Sequence, residues 1–260
     1  MSAGTDFADL HAGPSAFLLP NAWDVASALL LADAGFLAVG TTSLGITAAA
    51  GLRDGMGAGL APTIALVEAL ANRLSVPLTV DLEGGYSEDP AAVAELASRL
   101  CNLGVAGINL EDGRGDGSLR PLMDHAAVIE AVVATAPSLF VNARTDTWWL
   151  SIGPVPERMP ETVRRLETYR AAGAHGAFVP GLPDLGAVRS VASQVALPLN
   201  VLWTPGLSVA AAGAVRVSTG SHLYRRALGQ AIATAQQAAT GVDGSASPVD
   251  YAHLQKLLGS

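Results

Sequence analysis

The chain has 260 residues, of which 50% are hydrophobic and 15% are charged, with a formal net charge of −8. This length and composition fit one large α/β domain with a substantial core. The acidic balance argues against nucleic-acid binding, which needs basic surface to neutralise phosphates. No apolar run reaches the roughly 20 residues that span a bilayer, and the amino terminus lacks the pattern of a signal peptide. Together with the single cysteine, Cys101, these observations predict a cytoplasmic protein that binds neither nucleic acid nor membranes.

The single lysine, Lys256, lies near the carboxyl end of the chain. Schiff-base aldolases and pyridoxal-phosphate enzymes need a lysine held inside the active site. The position of this residue therefore argues against both classes of enzyme.

Short apolar runs alternate with alanine-rich helical segments, recurring roughly every 20 to 40 residues as a (β/α)8 barrel requires. The predicted strands are Phe17–Leu19, Leu37–Gly40, Leu78–Val80, Gly107–Leu110, Leu139–Val141, Gly176–Val179, Leu199–Leu202 and Val215–Val217. The predicted helices are Asp24–Ala34, Ala61–Leu74, Pro90–Leu103, Asp124–Thr135, Pro160–Ala172, Leu185–Val195 and Val209–Ala212. This alternation predicts one TIM-type barrel over residues 1–240. A doubly wound open sheet is the alternative, but Pro20–Asp24 lacks the glycine-rich turn that usually follows its first strand.

The end of the chain is predicted to add helices to the barrel. Gly220–Thr240 should form one or two helices, and Gly241–Pro248 has the composition of a flexible joint. Val249–Leu258 is predicted to be a short terminal helix. Residues 241–260 would then be a linker and a carboxyl-terminal helix that packs on a neighbouring subunit.

Acidic residues directly follow two of the predicted strands. Asp81 and Glu83 follow Leu78–Val80, and Glu111 follows Gly107–Leu110. Because the carboxyl ends of barrel strands meet at one rim, we expect these carboxylates to converge and to hold a divalent cation. The alternatives are a solvated loop for the first pair and an Asx-type turn at the second position.

Arg144 follows the apolar run Leu139–Val141 and precedes Asp146. An arginine at the end of a barrel strand is costly unless it is paired, so either Asp146 or a bound carboxylate should satisfy it. A structural ion pair with Asp146 is the alternative to substrate binding. Trp203 follows the seventh predicted strand and is a candidate for the wall of a substrate pocket.

Six stretches of the sequence resemble the isocitrate lyase / phosphoenolpyruvate mutase superfamily. They are Leu19–Asp24, Thr41–Gly45, Gly51–Gly55, Asp81–Tyr86, Asn109–Asp112 and Asn142–Asp146. Their order and spacing together are specific, whereas each alone is not. The resemblance implies a modified (β/α)8 barrel, assembled as homodimers or homotetramers that exchange their last helix.

The resemblance also implies a site for Mg²⁺ or Mn²⁺ in this chain. Asp81 would bind the ion most directly, with Glu83, Asp54 and Glu111 acting partly through water. Members of the superfamily make or break C–C or C–P bonds alpha to a 2-oxo acid, through an enolate. Asp54 is the candidate for proton transfer, and Glu111 is expected to support catalysis.

The substrate side of the site is implied in the same way. The segment Thr42, Ser43 and Leu44 would hold the substrate carboxylate, while Arg144 would bind and polarise the oxo-acid end. Asp81 would contact the substrate through the metal. Isocitrate and methylisocitrate lyases carry a lid with cysteine and histidine, but Gly113–Arg120 contains neither residue. The chain therefore resembles a phosphoenolpyruvate mutase-like branch without the lyase lid.

The predicted function is that of a Mg²⁺-dependent lyase. It would bind a small 2-oxo acid and cleave or form a C–C bond through a metal-stabilised enolate. One alternative is C–P chemistry, as in phosphonopyruvate mutase or hydrolase or carboxyphosphonoenolpyruvate mutase. The other is a 2-oxo-acid binder with weak catalysis.

Overall fold

The structure is a computed structural model that describes residues 3–13, 15–205 and 212–241. Parallel strands alternate with helices throughout these residues. The strands are β1 (Phe17–Leu19), β2 (Asn21–Ala22), β3 (Val39–Thr41), β4 (Leu78–Asp81), β5 (Gly107–Glu111), β6 (Phe140–Arg144), β7 (Gly176–Phe178), β8 (Leu199–Leu202) and β9 (Arg216–Ser218). The helices are α1 (Ala3–Ala12), α2 (Val25–Asp33), α3 (Ser43–Ala49), α4 (Leu60–Leu70), α5 (Pro90–Asn102), α6 (Leu122–Thr135), α7 (Val155–Ala171), α8 (Leu185–Gln194) and α9 (His222–Thr240).

The strands form one parallel sheet in the order β1-β9-β8-β7-β6-β5-β4-β3-β2. Only Pro20 separates β1 from β2, because proline has no N–H to donate to a neighbouring strand. Since β1 pairs with β9 and β2 pairs with β3, the segment 17–22 acts as one strand that closes the sheet. The predicted TIM-type barrel is confirmed, and each predicted strand begins within two residues of an observed one.

The helices differ most from the predictions at four places. Helices α1 and α3 were not predicted, α4 ends at Leu70 rather than at Leu74, and α7 begins at Val155 rather than at Pro160. Proline favours the first turn of a helix, but Pro156 takes that position here and Pro160 lies inside the helix. Most of the predicted helix Val209–Ala212 lies outside the described residues.

Helix α1 covers the amino-terminal end of the barrel. Its Phe7 is fully buried and makes edge-to-face contacts with Phe17 of β1 and Phe140 of β6. Both of these phenylalanines begin their strands, so α1 lies at the end of the barrel away from the carboxyl ends of the strands. A helix that buries this aromatic cluster stabilises the fold and leaves the opposite mouth free for a site.

The interior of the barrel is partly polar. Arg216 of β9 is fully buried, and its Nη2 donates to Oδ1 of Asn109 at 2.7 Å. Asn142 donates to the same oxygen at 2.9 Å. Burial lowers the pKa of Arg216 to about 9, although the negative charge of Asp81 partly opposes that shift. This buried cation beneath the acidic rim was not predicted from the sequence.

Helix α9 confirms the predicted carboxyl-terminal helical segment as a single helix. None of its side chains is buried by the described residues, and Leu228 and Ile232 are exposed. The predicted joint and terminal helix within 242–260 lie outside the described residues. In the part of the chain that the structure describes, no helix combines the length and apolar character needed to cross a membrane.

Candidate active site

A cavity of about 770 Å³ opens at the carboxyl ends of the strands. It is lined by residues within four stretches, 43–57, 83–88, 111–120 and 144–150, which follow β3, β4, β5 and β6. Five of the predicted site residues share this lining: Ser43, Asp54, Glu83, Glu111 and Arg144. The topology therefore brings together residues that are up to about a hundred positions apart in sequence, as expected for a TIM barrel.

Asp81 ends β4 and is 9% exposed. Its N–H donates to Oγ1 of Thr41 at 2.9 Å, and its Oδ2 accepts the N–H of Ser43 at 3.4 Å. Its Oδ1 is buried and has no hydrogen-bond partner among the described residues. A buried carboxylate oxygen without a donor is unfavourable, so this atom is available for a bound cation or ligand.

Glu83 lies two residues further along, also buried. Its backbone φ is 49°, in the left-handed region that a non-glycine residue rarely adopts, and its Oε1 has no partner in the described part of the chain. Burial and, to a smaller extent, the nearby carboxylates of Asp81 and Asp54 together raise the pKa of Glu83 to about 7. This cluster of carboxylates is therefore poorly satisfied by the protein itself.

Arg144 ends β6 and is held by two carboxylates. Its Nη1 lies 2.6 Å from Oε2 of Glu111, and its Nε and Nη2 donate to Asp146 at 2.6 and 2.9 Å. Burial opposes the charge of Arg144, but these carboxylates outweigh it, and the pKa of Arg144 is raised. Burial also raises the pKa of Glu111 well above its usual value, although Arg144 opposes that shift.

The ion pair with Asp146 that the sequence offered as an alternative is present. It does not use all of the guanidinium, because arginine has five N–H groups and these contacts account for three. Two N–H groups of Arg144, on a side chain that lines the cavity, stay available for a substrate oxygen.

Sequence reasoning missed the role of Asp112. This residue is fully buried, and its Oδ1 accepts the N–H of Asp146 at 2.9 Å. Its Oδ2 accepts hydrogen bonds from Tyr169 at 2.7 Å and from Arg165 at 3.1 Å, both on α7. Arg165 also donates to the carbonyl of Arg120 at 3.0 Å. Asp112 thus fixes Asp146, and through it Arg144; the four-residue spacing of Arg165 and Tyr169 was the available signal.

Asp54 lies in the loop between α3 and α4, and its side chain is exposed at the mouth. Partial desolvation raises the pKa of this carboxyl, a hydrogen bond with Ser43 opposes the shift, and the charge of Asp81 adds to it. A raised pKa favours the protonated form of this carboxyl, in the direction that a proton donor needs.

The stretch Gly113–Arg120 forms a short hairpin over the cavity, with a bridge between Gly113 and Leu119. At Gly115 a Cβ would collide with the carbonyl oxygen of Gly55. Only glycine therefore allows the hairpin to approach the loop that carries Asp54 this closely. Gly113–Arg120, the stretch that corresponds to the lid of the lyases, forms a loop over the cavity.

Four predicted substrate residues are not among those that line the cavity. Asp81 is one of them, although its Oδ2 accepts the N–H of Ser43, which does line the cavity. The other three are Thr42, Leu44 and Trp203. Thr42 is buried at the start of α3, and Leu44 lies within that helix; neither is among the residues that line the cavity. Trp203 is 38% exposed, and its ring lies 4.7 Å from that of His222. It does not line this cavity as the described residues define it. From the predicted Thr42–Leu44 segment, only Ser43 lines the cavity.

The carboxylates at this site can be compared with the ligands that a metal ion needs. Within the described ranges, no three His, Cys, Asp or Glu side chains are close enough to enclose an ion by themselves. Mg²⁺ commonly keeps several waters and binds through one or two carboxylates. The unpartnered oxygens of Asp81 and Glu83 fit such a hydrated ion, but not one held entirely by protein ligands.

The sequence model of the phosphoenolpyruvate phosphomutase family matches residues 7–239. The chain belongs to this family. A Mycobacterium tuberculosis protein of uncharacterised function is 40% identical over 257 residues, which are 97% of this chain and 95% of that protein. The 2-methylisocitrate lyase of Bacillus subtilis is 30% identical over 74% of this chain and 64% of its own length.

Solved structures agree with the family. The crystal structure of 2,3-dimethylmalate lyase, described as a PEP mutase/isocitrate lyase superfamily member, matches with a TM-score of 0.83 and 25% identity. The match covers 100% of this chain and 95% of that one. The resemblance seen in the sequence is confirmed, and the family includes proteins named as lyases and as phosphomutases.

Proposed function

We propose that this family member is a Mg²⁺-dependent enzyme, with Mn²⁺ as a substitute, that binds a small 2-oxo acid and cleaves or forms a C–C bond. The observation that supports this most is the pairing of two features at the mouth of the barrel. Glu83 and Arg144 line the cavity, and Asp81 is close enough to Arg144 for their charges to interact. Asp81 and Glu83 each have a buried carboxylate oxygen without a partner among the described residues, and Arg144 retains two N–H groups beyond its ion pairs. The first feature suits a cation, and the second suits the carboxylate or oxo group of the substrate.

The carboxylates would share the task of holding the ion. Asp81 would bind it directly, and Glu83, Asp54 and Glu111 would act through bound water. When bound, the ion supplies positive charge that stabilises the negative charge developing on substrate oxygen atoms.

The remaining steps belong to the side chains of this chain. Arg144, kept in one orientation by Asp146 and Glu111, would bind the oxo-acid end. Ser43, which lines the cavity, would assist at the substrate carboxylate. Asp54 would hold or return a proton at the reacting carbon, since its pKa is raised. The hairpin Gly113–Arg120 would exclude water from the enolate.

C–P chemistry is the second candidate, and one finding favours it. The family model that matches the chain is that of phosphoenolpyruvate phosphomutase. A phosphonopyruvate substrate would use the same carboxylates and the same arginine. Release of inorganic phosphate, or formation of phosphoenolpyruvate, would identify this activity.

The test is turnover of a panel of 2-oxo and 2-hydroxy acids, and of 3-phosphonopyruvate, in Mg²⁺ and in EDTA. We expect C–C cleavage of at least one carboxylic acid in Mg²⁺, with loss in EDTA and in Asp81→Ala. Asp9→Ala is the matched control, because Asp9 is exposed on α1 at the far end of the barrel. Turnover that is equal in EDTA, or unchanged in Asp81→Ala, contradicts the proposal. Binding of a 2-oxo acid without turnover supports the weak binder instead.

A further inference from the structure

Tyr86 lines the cavity, but no step of the proposed function uses its hydroxyl group. The hydroxyl oxygen is buried and has no hydrogen-bond partner among the described residues. Oε1 of Glu83 is in the same situation, buried and without a partner in that part of the chain. Because a buried donor or acceptor without a partner is unfavourable, each of these groups would gain from a bond to the other.

The hydroxyl and the carboxylate border one small space beside the backbone of Gly59. A Cβ on Gly59 would lie 2.8 Å from Oε1 of Glu83 and 3.1 Å from the hydroxyl oxygen of Tyr86. The backbone of Gly59 has φ −78° and ψ −11°, which any residue can adopt, so its conformation does not require glycine. What glycine provides at this position is room for the two polar groups.

The backbone at both residues is strained in the same way. Glu83 has a φ of 49° and Tyr86 has a φ of 59°, both in the left-handed region that residues other than glycine rarely adopt. Such residues persist only where the surrounding structure holds them, and they concentrate at functional sites. Here the strained conformation brings a hydroxyl and a carboxylate to the same space beside Gly59.

Thr63 of α4 completes a set of three polar groups. Its side chain is buried, and its Oγ1 has no partner among the described residues. Burial raises the pKa of Tyr86, the charge of Glu83 adds to that shift, and the nearby hydroxyl of Thr63 opposes it. Tyr86 therefore keeps its proton at neutral pH. A phenol in this form can donate to Glu83 while its oxygen accepts from Thr63.

We propose that Tyr86 is a positioning residue for Glu83, donating its hydroxyl hydrogen to Oε1 while Thr63 donates to the oxygen of Tyr86. This inference rests on the proposed function, in which Glu83 holds the metal ion through bound water. A carboxylate has about four lone-pair sites, so a hydroxyl and a metal-bound water can share it. The hydroxyl keeps the carboxylate in one orientation towards the ion, and outer partners of this kind set metal affinity.

The test measures the dissociation constant of Mg²⁺ by calorimetry and the unfolding midpoint in urea. Tyr86→Phe should weaken Mg²⁺ binding about 10-fold, because it removes the hydroxyl and keeps the ring. Gly59→Ala should also weaken binding, because the added methyl group displaces the carboxylate of Glu83 while the backbone tolerates alanine.

Two matched controls lie on α9. Tyr224→Phe removes a hydroxyl from a ring that contacts Trp23, and Gly229→Ala adds a methyl group where nothing lies within 4 Å. Both variants should bind Mg²⁺ as the wild type does.

Two comparisons separate a positioning role from simple packing. In a chain that already carries Glu83→Ala, Tyr86→Phe should cause no further loss of Mg²⁺ affinity, because its effect depends on that carboxylate. Thr63→Ser keeps a hydroxyl and should bind Mg²⁺ more tightly than Thr63→Val, which has nearly the same shape as threonine but no donor.

The outcomes distinguish this inference from the proposed function. If Tyr86→Phe binds Mg²⁺ as tightly as the wild type, or loses as much affinity with Glu83→Ala as without it, the positioning role is overturned and the proposed function stands. If the wild-type chain binds neither Mg²⁺ nor Mn²⁺, both are overturned. If Tyr86→Phe does not fold, wild-type affinity in Gly59→Ala, or equal affinity in the two Thr63 variants, overturns the role.

Discussion

Two halves of the same cavity differ in how well the protein satisfies its own charges. In the half built around Arg144, each of the carboxylates Glu111, Asp146 and Asp112 accepts from an arginine. In the half built around Asp81 and Glu83, buried oxygens have no partner among the described residues. The ion pairs of the first half offset part of the cost of burying these charges, although burial still raises the pKa values of Glu111 and Asp146. The second half costs stability, which is typical of groups kept for a ligand.

The largest effect on stability and activity is expected when Arg144, the cation at the centre of the first half, is replaced. Arg144→Met leaves Glu111 and Asp146 buried without their cation, which should destabilise the chain by about 3 kcal/mol or more. It should also reduce kcat/KM on the best substrate by roughly 100-fold or more, since a charged substrate contact is lost. Urea unfolding and steady-state kinetics measure the two effects. An unchanged unfolding midpoint would show that the ion pairs do not support the fold.

Replacing an aspartate by asparagine should change the stability of the chain differently in the two halves. Asp112→Asn weakens the acceptor of two buried donors, Tyr169 and Arg165, and should destabilise the chain by about 2 kcal/mol. Asp81→Asn removes a buried charge with an unpaired oxygen, so the metal-free chain should be as stable as the wild type or more stable.

The same two variants should rank in the opposite order when Mg²⁺ binding is measured instead of stability. Asp81→Asn should lose Mg²⁺ binding, whereas Asp112→Asn should retain it within a few-fold, as calorimetry can measure. Equal loss of stability in both variants would contradict the distinction between the two halves.

The pH dependence of Mg²⁺ affinity sharpens the same comparison. The pKa of Glu83 is raised to about 7 by burial and by neighbouring carboxylates, so protons compete with the cation. Affinity should rise roughly 10-fold between pH 6 and 8 as this carboxyl ionises. The metal-free chain should instead lose stability as the pH rises from about 4.5 to 7, because the folded state holds this proton more tightly than the unfolded one. In Glu83→Gln, both the Mg²⁺ affinity and the stability of the metal-free chain should depend much less on pH. If either pH dependence persists in this variant, a group other than Glu83 causes it.

The smallest effect is expected at the edge of the paired half. Tyr169→Phe removes one hydrogen bond to Asp112 while Arg165 continues to neutralise that carboxylate. We expect a loss of about 1 kcal/mol in unfolding free energy and little change in Mg²⁺ affinity. A loss as large as that of Asp112→Asn would mean that Tyr169 carries most of the stabilisation.

The sequence predicted the barrel because buried parallel strands appear as short apolar runs. It did not predict α1 or α3. Helix α3 contains Gly45 and the β-branched residues Ile46 and Thr47 within seven residues, and the role of α1 depends on distant phenylalanines. The sequence also does not show which of two adjacent carboxylates at a strand end faces the cavity. Glu111 lines the cavity while its neighbour Asp112 is buried towards α7.

The unpredicted parts of the site depend on partners that are far away in sequence. Asp112 meets Arg165 and Tyr169 more than fifty residues along the chain. The buried partner of Arg216, Asn109, is 107 positions away. Charged residues at strand ends could be predicted from local spacing, but their hydrogen bonds could not, because those depend on packing between elements.

The central claim is that a metal ion and a 2-oxo acid bind together at this site. The most direct test is a titration of the wild-type chain with Mn²⁺, with and without pyruvate, in which electron paramagnetic resonance measures the free ion. We predict one site per chain, with an affinity that increases when pyruvate is present, because metal and oxo acid share the cavity and such coupling is reciprocal. No site in either condition, or an affinity that pyruvate does not change, would contradict the claim.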